Sequence, residues 1–421
     1  MFIIYDIIFI LFSLLYLPKM ILKGKWRWAF LSRFGFFSKD TKIKLRKKEN
    51  IWIHAVSVGE VLVIVPLIRQ LQDHFPQCQV VCTTVTKTGY DLAKSQLFSS
   101  NVIVLYAPFD LSFSVGRYIK AIHPKIYLSS ETEIWPNTYT MLYKKNIPII
   151  QINGRISDKA YEGYKKIGFL TRKILKCVTM FCMQSEEDKQ RILSFGVDSF
   201  KICRVGNLKF DMVIESQTVS LAQLGLEAHN KILLAGSTHR QEEEIILNIY
   251  KRLLTQENNL RLILAPRHIE RVTEVKNIIK KYGFETVLYS QIKNNKGNKV
   301  ILVDTIGDLR NLYSVATIVF IGKSFVVGGG QNMIEPVYFG KPTFVGPRTE
   351  NFKDVMKIFL KERAVIQVKS PEDLFLEMKN VLEDFSYQQE ISRAAKKIIA
   401  SSSGATQKTF DIVAQYLKDV L

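Results

Sequence analysis

Glu60 lies in a segment whose composition is typical of an acid–base site. The apolar run IWIHAVSV (51–58) predicts a strand, and Gly59 and Glu60 follow it at the start of a helical pattern. A glutamate that is shielded from water at such a turn can remove a proton from a hydroxyl group. A carboxylate in the first turn also stabilises a helix start. The residues alone leave both roles open for Glu60.

A second group of carboxylates follows the predicted strand KIYLSS (125–130). Glu131 and Glu133 come within three residues of it, ahead of a turn that contains Pro136. Arg155 follows another predicted strand, IPIIQIN (147–153), and its guanidinium is suited to hold one of these carboxylates in a buried or half-buried pair. We expect the group to lie on the acceptor side of a site or to have a structural role.

The second half of the chain contains residues that are suited to binding a phosphate. Ser237 and Thr238 end the predicted strand KILLAGS and precede a helical pattern that begins at Gln241, so either could be its N-cap. Free N–H groups at a helix start accept anions. Arg267 and His268 follow the strand RLILAPR at the same predicted edge, where a guanidinium can clamp a phosphate. His268 is equally typical of an ordinary loop histidine.

A glycine-rich turn, residues 328–330, enters the next predicted helix. Gly329 and Gly330 allow close backbone approach to a ligand, and Asn332 and Glu335 follow, with Glu335 placed to accept the hydroxyls of a ribose. The chain has no GxxxxGK[ST] phosphate loop and no GxGxxG after its first strand. The pattern therefore disfavours an ATPase or a dehydrogenase.

The elements that position these residues alternate between strand and helix patterns from Asn50 onward. Six buried strand patterns precede a polar stretch near residue 215, and six more follow it. This alternation is typical of α/β folds with parallel sheets, in which ligands bind beyond the carboxyl ends of the strands. We predict two Rossmann-like domains, at 50–214 and 215–405, and a last helix, 406–421, that can cross back to the first domain.

Composition narrows the class of partner. The 421 residues contain 59 Lys+Arg and 39 Asp+Glu, a formal charge of +20, which indicates an anionic partner. Charge alone does not distinguish nucleic acid, anionic lipid and a phosphorylated substrate. The five cysteines show no CxxC spacing and no zinc-ligand pattern, so we expect reduced thiols and no metal site.

The amino terminus resembles a membrane-attachment segment. Residues 1–17 are almost wholly apolar, apart from Asp6, and Pro18 ends the run short of the ~20 residues that comfortably span a bilayer. A basic and aromatic segment follows. We expect residues 1–22 to be a membrane anchor and residues 23–49 a basic juxtamembrane segment that contacts anionic lipid, with the domains in the cytoplasm. Spanning the bilayer and lying in its interface both stay open, and packing on the protein itself is the alternative.

Taken in order, these motifs resemble the transferases of 3-deoxy-D-manno-octulosonic acid (Kdo) in lipid A and lipopolysaccharide biosynthesis. Nearly the whole chain is covered, and nine segments in the family's order make the resemblance specific. Besides the apolar anchor they are HAVSVGEV (54–61), TTVTKTG (83–89), SETEIWPN (130–137), NGRIS (153–157), GNLKFD (206–211), AGSTHRQEE (235–243), APRH (265–268) and GGGQNMIEP (328–336).

The resemblance implies an inner-membrane enzyme of the GT-B architecture, whose two Rossmann-like domains face each other across a cleft. Such an enzyme takes Kdo from CMP-Kdo with inversion and adds it to a hydroxyl of a lipid A precursor, with no cofactor and no bound metal. In that family Glu60 matches the general base. The positions that match donor-binding residues are Lys209, Ser237, Thr238, Arg267, His268, Gly329, Gly330, Asn332 and Glu335.

One position departs from the family's pattern, which commonly has GGHN. Gln331 stands where the family has histidine, and it cannot carry a charge, so an ionic role there is in doubt. The alternative functions are another two-domain sugar-nucleotide enzyme, either a UDP-sugar transferase or an epimerase, and a membrane-associated nucleic-acid-binding protein. No helix-turn-helix cue, zinc pattern or aromatic-rich binding strand favours nucleic acid as a partner.

Overall fold

The computed structural model describes residues 5–11, 13, 30–97, 99, 101–131, 133–211, 219–294, 299–326 and 328–421. Contacts divide the chain into a first unit, Met1–Val213 with Ser402–Leu421, and a second unit, Ile214–Ser401. Most of the predicted anchor, residues 23–29 of the basic segment and the predicted boundary at 214/215 lie outside the described residues.

The first unit is built on a seven-stranded parallel sheet in the order β3-β2-β1-β4-β5-β6-β7. Its strands are β1 Glu49–His54, β2 Cys78–Thr84, β3 Val102–Tyr106, β4 Pro124–Ser130, β5 Ile149–Gly154, β6 Met180–Met183 and β7 Ile202–Arg204. Its helices are Phe30–Arg33, Lys39–Leu45, Val58–His74, Lys87–Gln96, Ser112–Ile122, Pro136–Lys144, Asp158–Lys166, Gly168–Leu175, Glu186–Leu193 and Ala405–Val420.

The continuous apolar runs of the central strands follow from burial on both faces of the sheet. Every residue of β2 is buried, as are five of the six residues of β1. Parallel strands that are covered by helices on both sides need apolar side chains at successive positions, not at alternate ones. This explains why the strand patterns in the sequence are uninterrupted.

The helix Ala405–Val420 belongs to the core of the first unit. Its residues Phe410, Val413 and Leu417 are buried in one cluster with the helix Val58–His74. Asp211 accepts hydrogen bonds from the backbone N–H groups of Gly404 and Thr406, at the start of this helix. The chain therefore returns to the first unit after completing the second.

The second unit repeats the architecture with a seven-stranded parallel sheet in the order β10-β11-β9-β8-β12-β13-β14. Its strands are β8 Lys231–Thr238, β9 Leu260–Pro266, β10 Thr286–Leu288, β11 Val300–Leu302, β12 Ile318–Ile321, β13 Thr343–Val345 and β14 Ile366–Gln367. Its helices are Glu242–Leu253, Val272–Lys281, Leu309–Leu312, Ile334–Tyr338, Lys353–Lys361 and Pro371–Glu383, and Phe385–Ser402 leads back to the first unit. The prediction of two parallel-sheet α/β domains is confirmed.

The strand order reverses between β1 and β4 in the first sheet, and between the central strands β8 and β12 in the second. Connections leave such a pair of strands in opposite directions, which opens a crevice beyond their carboxyl ends, and this is where ligands bind in open α/β sheets. Catalytic and ligand-binding residues are therefore expected in the loops after these four strands.

Among the described residues, no helix combines the length and the apolar composition that crossing a bilayer requires.

Candidate active site

Glu60 lies at the reversal point of the first sheet, in the first turn of the helix that follows β1. Ser57 is the N-cap of this helix and donates its hydroxyl to Glu60 Oε1 at 2.9 Å. The N–H of Val56 donates to Glu60 Oε2, also at 2.9 Å. The side chain is buried, with 8% of its surface exposed. The carboxylate thus stabilises the helix start and is also shielded from water, and its catalytic role stays a prediction.

Burial raises the pKa of Glu60 to about 7. The nearby carboxylates of Glu131 and Glu133 act in the same direction, while the hydrogen bonds from Val56 and Ser57 oppose it. A carboxylate with a pKa near neutrality holds a proton at pH 6 and has released it at pH 8. Glu60 therefore has the protonation behaviour that a general base needs at physiological pH.

Glu131 follows β4 on the other side of the same reversal point. Its backbone has a φ of 55°, in the left-handed region where non-glycine residues are uncommon. Lys209 Nζ lies 3.4 Å from Glu131 Oε1, and both side chains are about one-fifth exposed. Burial, and then the charge of Glu131, raise the pKa of Glu133. The reversal point of the first sheet thus gathers three carboxylates and one lysine.

The cation that pairs with Glu131 is Lys209, which the family resemblance places near the donor. In the structure Lys209 lies in the first unit, beside Glu131. Arg155, which we expected to hold one of the carboxylates, is half-buried in the loop between β5 and the helix Asp158–Lys166.

In the second unit, the loop after β8 differs from the predicted helix start. The N-cap of the helix Glu242–Leu253 is Gln241, which has a φ of 71° and no side-chain capping bond, so the prediction of Ser237 or Thr238 as N-cap is wrong. The buried carboxylate of Glu242 accepts the N–H of His239 at 2.9 Å. This bond holds residues 239–242 in a turn, and the helix begins after that turn.

Two predicted donor residues of this loop have different environments. Thr238 is fully buried, and its hydroxyl donates to Glu243 Oε1 at 3.0 Å. Ser237 is half-buried, with a φ of 55°. Arg267 and His268 are exposed at the end of β9, and the rings of His268 and His239 lie 5.7 Å apart. The structure brings these residues to one edge, with Thr238 serving to hold Glu243.

The backbone conformation of the turn after β12 requires glycine. Gly329 and Gly330 have φ values of 117° and 70°, which L-residues rarely adopt. A Cβ added at Gly329 would lie 2.4 Å from Asn351 Nδ2. Gln331 is half-buried directly after this turn. The turn delivers the chain to the helix Ile334–Tyr338, which bears Glu335.

Glu335 is held at this edge by two side chains. Asn332 Nδ2 donates to its Oε1 at 3.1 Å, and Arg310 Nη2 donates to the same oxygen at 3.3 Å. Burial raises the pKa of Glu335, and Arg310 opposes the rise. The charge of Arg267 acts in the same direction as that of Arg310. One carboxylate oxygen is thus fixed by the amide of Asn332 and the guanidinium of Arg310.

Sequence reasoning missed three residues that organise this edge. Glu242 and Glu243 are completely buried, and Arg271 pairs with Glu243 Oε1 at 2.8 Å. In the sequence, the acidic run at 242–244 is typical of a helix start, where acidic residues are common. The signal that could have found them is three successive carboxylates, more than a helix start needs, with Arg271 a short distance beyond the next strand.

Comparisons with known proteins show which sequences this chain resembles. Residues 29–212 match the family model of the 3-deoxy-D-manno-octulosonic-acid transferases, or Kdo transferases. A curated relative from Haemophilus influenzae, 3-deoxy-D-manno-octulosonic acid transferase, is 32% identical over 400 residues, which cover 94% of this chain and 92% of the relative.

Solved structures show the same fold. A glycosyltransferase from Rickettsia africae matches with a TM-score of 0.58 at 14% identity, covering 88% of this chain and 99% of the other. The UDP-GlcNAc 2-epimerase from Neisseria meningitidis, solved with UDP-GlcNAc, matches with the same score and identity over 88% of this chain and all of the other. Since transferases and epimerases share this GT-B-like fold, the fold alone does not separate them. The extent of the sequence identity does: the chain belongs to the Kdo transferase family and is a glycosyltransferase.

Proposed function

We propose that the enzyme transfers Kdo from CMP-Kdo to a hydroxyl of a lipid A precursor, with inversion and without a bound metal. The observation that supports it most is Glu60, a buried carboxylate with a pKa of about 7 at the reversal point of the first sheet. Glu60 takes the proton of the acceptor hydroxyl, whose oxygen forms the new bond to the anomeric carbon of Kdo. The bond from that carbon to the CMP phosphate breaks, and CMP leaves with the electron pair.

Product analysis tests this function. The purified enzyme is incubated with CMP-Kdo and a lipid A precursor, and the lipid is examined by mass spectrometry. We expect a mass increase of one or more Kdo residues and release of CMP. A parallel reaction with UDP-GlcNAc decides the alternative, because an epimerase converts that compound without any lipid and a UDP-sugar transferase releases UDP. Either result, without transfer from CMP-Kdo, overturns the proposal.

The pH at which kcat/KM rises should depend on the charges near Glu60. As the base must be deprotonated, kcat/KM should rise with pH through about 7. Glu131→Gln removes a neighbouring negative charge, so it should lower the pKa of Glu60 and move this rise to lower pH. Lys209→Met leaves Glu131 unpaired and should move the rise to higher pH. The profile is measured at substrate concentrations far below KM.

The opposite directions of the two shifts are the control, because a general disturbance of the site would move both profiles the same way. A fall of several orders of magnitude in the plateau rate of Glu131→Gln would contradict a purely electrostatic role. Glu131 would then have to touch the reacting atoms.

The donor side is proposed at the reversal point of the second sheet. Ser237 and Arg267 meet the phosphate of CMP there, the Gly329–Gly330 turn allows its close approach, and Glu335 accepts the ribose hydroxyls. Support comes from Glu335, which Asn332 and Arg310 hold through one oxygen. His268 borders the phosphate as an exposed side chain.

Glu335→Ala should weaken CMP binding at least tenfold, since a lost charge-assisted hydrogen bond costs about 1.5–3 kcal/mol. Isothermal titration with CMP measures this. 2′,3′-Dideoxy-CMP is the matched control ligand, because without the ribose hydroxyls it should bind the parent and Glu335→Ala equally. If CMP also binds the variant as tightly as the parent, the ribose is held elsewhere.

We propose further that the protein is attached to the inner membrane, with both units on the cytoplasmic side and the basic segment 23–49 against anionic lipid. Among the described residues of the apolar segment, Ile7, Ile8 and Leu11 are more than half exposed. Asp6 accepts hydrogen bonds from Ser112 and Asn137 and so fastens this segment to the first unit. Cell fractionation tests the proposal. Removal of residues 1–22 should release protein to the soluble fraction, and an unchanged distribution would contradict it.

A further inference from the structure

Lys323 lies at the reversal point of the second sheet. It is the second residue after β12, and β12 pairs with β8 on one side and β13 on the other. Ligands of open α/β sheets bind in the crevice beyond the strand ends at such a point. Lys323 lies as close to this reversal point as the residues of the loop after β8.

The backbone of Lys323 is held in an unfavourable conformation. Its φ of 58° lies in the left-handed region, which glycine adopts freely and other residues adopt at a cost. Its N–H donates to Glu242 Oε2 at 2.7 Å, and its carbonyl accepts the N–H of Gly330 at 2.8 Å. Such strained positions persist where the surrounding structure enforces them, and they cluster at functional sites.

Glu242 also takes up the backbone donors that would otherwise face an anion. Its carboxylate accepts the N–H groups of Lys323, Ser324 and Phe325, at 2.7, 2.9 and 3.0 Å. Loops of this kind usually bind phosphate through their free N–H groups. These three N–H groups are therefore not available to an anion, and the ammonium of Lys323 is the cation that the described part of this loop supplies.

The side chain of Lys323 is half-buried and forms no ion pair among the described residues. The ion pairs near this edge join Arg271 to Glu243 and Arg310 to Glu335, and Lys323 belongs to neither. Burial lowers the pKa of His239. The charges of His268 and Lys323 act in the same direction, while the hydrogen bond to Ser237 and the carboxylate of Glu242 oppose them. A half-buried ammonium that forms no ion pair is stabilised by an incoming anion.

We propose that Lys323 binds the phosphate of the donor nucleotide. The inference rests on the proposed use of CMP-Kdo, and it adds a phosphate-binding residue from the loop after β12 to those from the loops after β8 and β9. The ammonium meets the phosphate in the bound donor and stays in contact with it as the leaving CMP gains charge. The strain at Lys323 is thus the cost of placing a cation where the backbone favours glycine.

Lys323→Gly separates this role from a structural one. Glycine suits the backbone conformation, so the variant should be at least as stable as the parent in thermal unfolding, while it lacks the cation. We expect its affinity for CMP to fall about tenfold or more, since a bond to a charged group is lost. Its affinity for cytidine, which has no phosphate, should be unchanged. Lys323→Arg, which keeps the charge, should bind CMP within a few-fold of the parent.

Arg363→Gly is the matched control. Arg363 is also a basic residue with a positive φ, 56°, but its side chain is 83% exposed and it precedes β14, at the opposite edge of the sheet. Its replacement should leave CMP affinity unchanged. The inference is overturned if Lys323→Gly binds CMP like the parent, or if it loses CMP and cytidine affinity equally. A parent enzyme that binds neither CMP nor cytidine would overturn the proposed donor itself.

Discussion

Replacing Glu60 with glutamine should lower turnover by about two to four orders of magnitude, the usual contribution of a general base. Glutamine keeps the size of the side chain, and its amide oxygen can still accept a hydrogen bond from Val56 or Ser57, so the helix start should persist. The proton of the acceptor hydroxyl, however, has no base to receive it. Single-turnover rates with CMP-Kdo and acceptor measure the effect, and CMP titration shows whether the donor still binds.

Glu186→Gln offers the matched control for this change. Glu186 also stands in the first turn of a helix that follows a strand of the first sheet, but its side chain is exposed and pairs with Lys189. Turnover of this variant should stay within a few-fold of the parent. A Glu60→Gln enzyme that is as active as Glu186→Gln would remove Glu60 from the catalytic role and leave it with the helix start alone.

Arg271→Ala should destabilise the second unit by about 3–5 kcal/mol, the typical cost of removing one partner from a buried ion pair. Two guanidinium nitrogens of Arg271 contact the two oxygens of Glu243, at 2.8 and 3.2 Å, and the Glu243 side chain has no exposed surface. Without Arg271, the one hydrogen-bond donor to this carboxylate among the described residues is the hydroxyl of Thr238. Urea unfolding followed by far-UV circular dichroism measures the loss.

Tryptophan fluorescence supplies an internal reference, because all four tryptophans (Trp26, Trp28, Trp52 and Trp135) belong to the first unit. Lys379→Ala breaks an exposed ion pair with Glu383 in the second unit and should cost less than about 1 kcal/mol. The double variant Arg271→Met with Glu243→Gln removes both charges of this pair and should recover most of the stability. Equal losses of stability in Arg271→Ala and Lys379→Ala would show that the buried ion pair stabilises the unit no more than the exposed one.

The sequence predicted the fold well where the strands are long and buried on both faces. All six strand patterns assigned to each half correspond to strands of the two sheets. The strands that were missed, β7 and β14, have three and two residues and lie at the sheet edges. The short strands β11 and β13 are buried throughout and lie in apolar runs, whereas β7 and β14 contain exposed or half-buried residues, so no apolar run marks them in the sequence.

The positions of candidate site residues could be predicted where the residue closely follows its own strand, as Glu60 and Glu335 do. It was not predictable where a side chain organises a distant loop. Glu242 and Lys323 are 81 positions apart, and only the pairing of β8 with β12 brings them together. Local patterns hold no information about such contacts, because sheet order is a property of the whole domain.

The placement of the helix Ala405–Val420 has a consequence for how the chain folds during synthesis. Val63 is covered by Leu208 and Ala405 together, and Phe410 and Leu417 fill the same core as the helix Val58–His74. A ribosome that has made the first sheet has therefore not yet made the helix that covers it. The apolar face of Val58–His74 stays open while the whole second unit is translated, and domains otherwise tend to fold in order of synthesis. The nascent first unit thus needs either a chaperone or a temporary apolar cover for that interval.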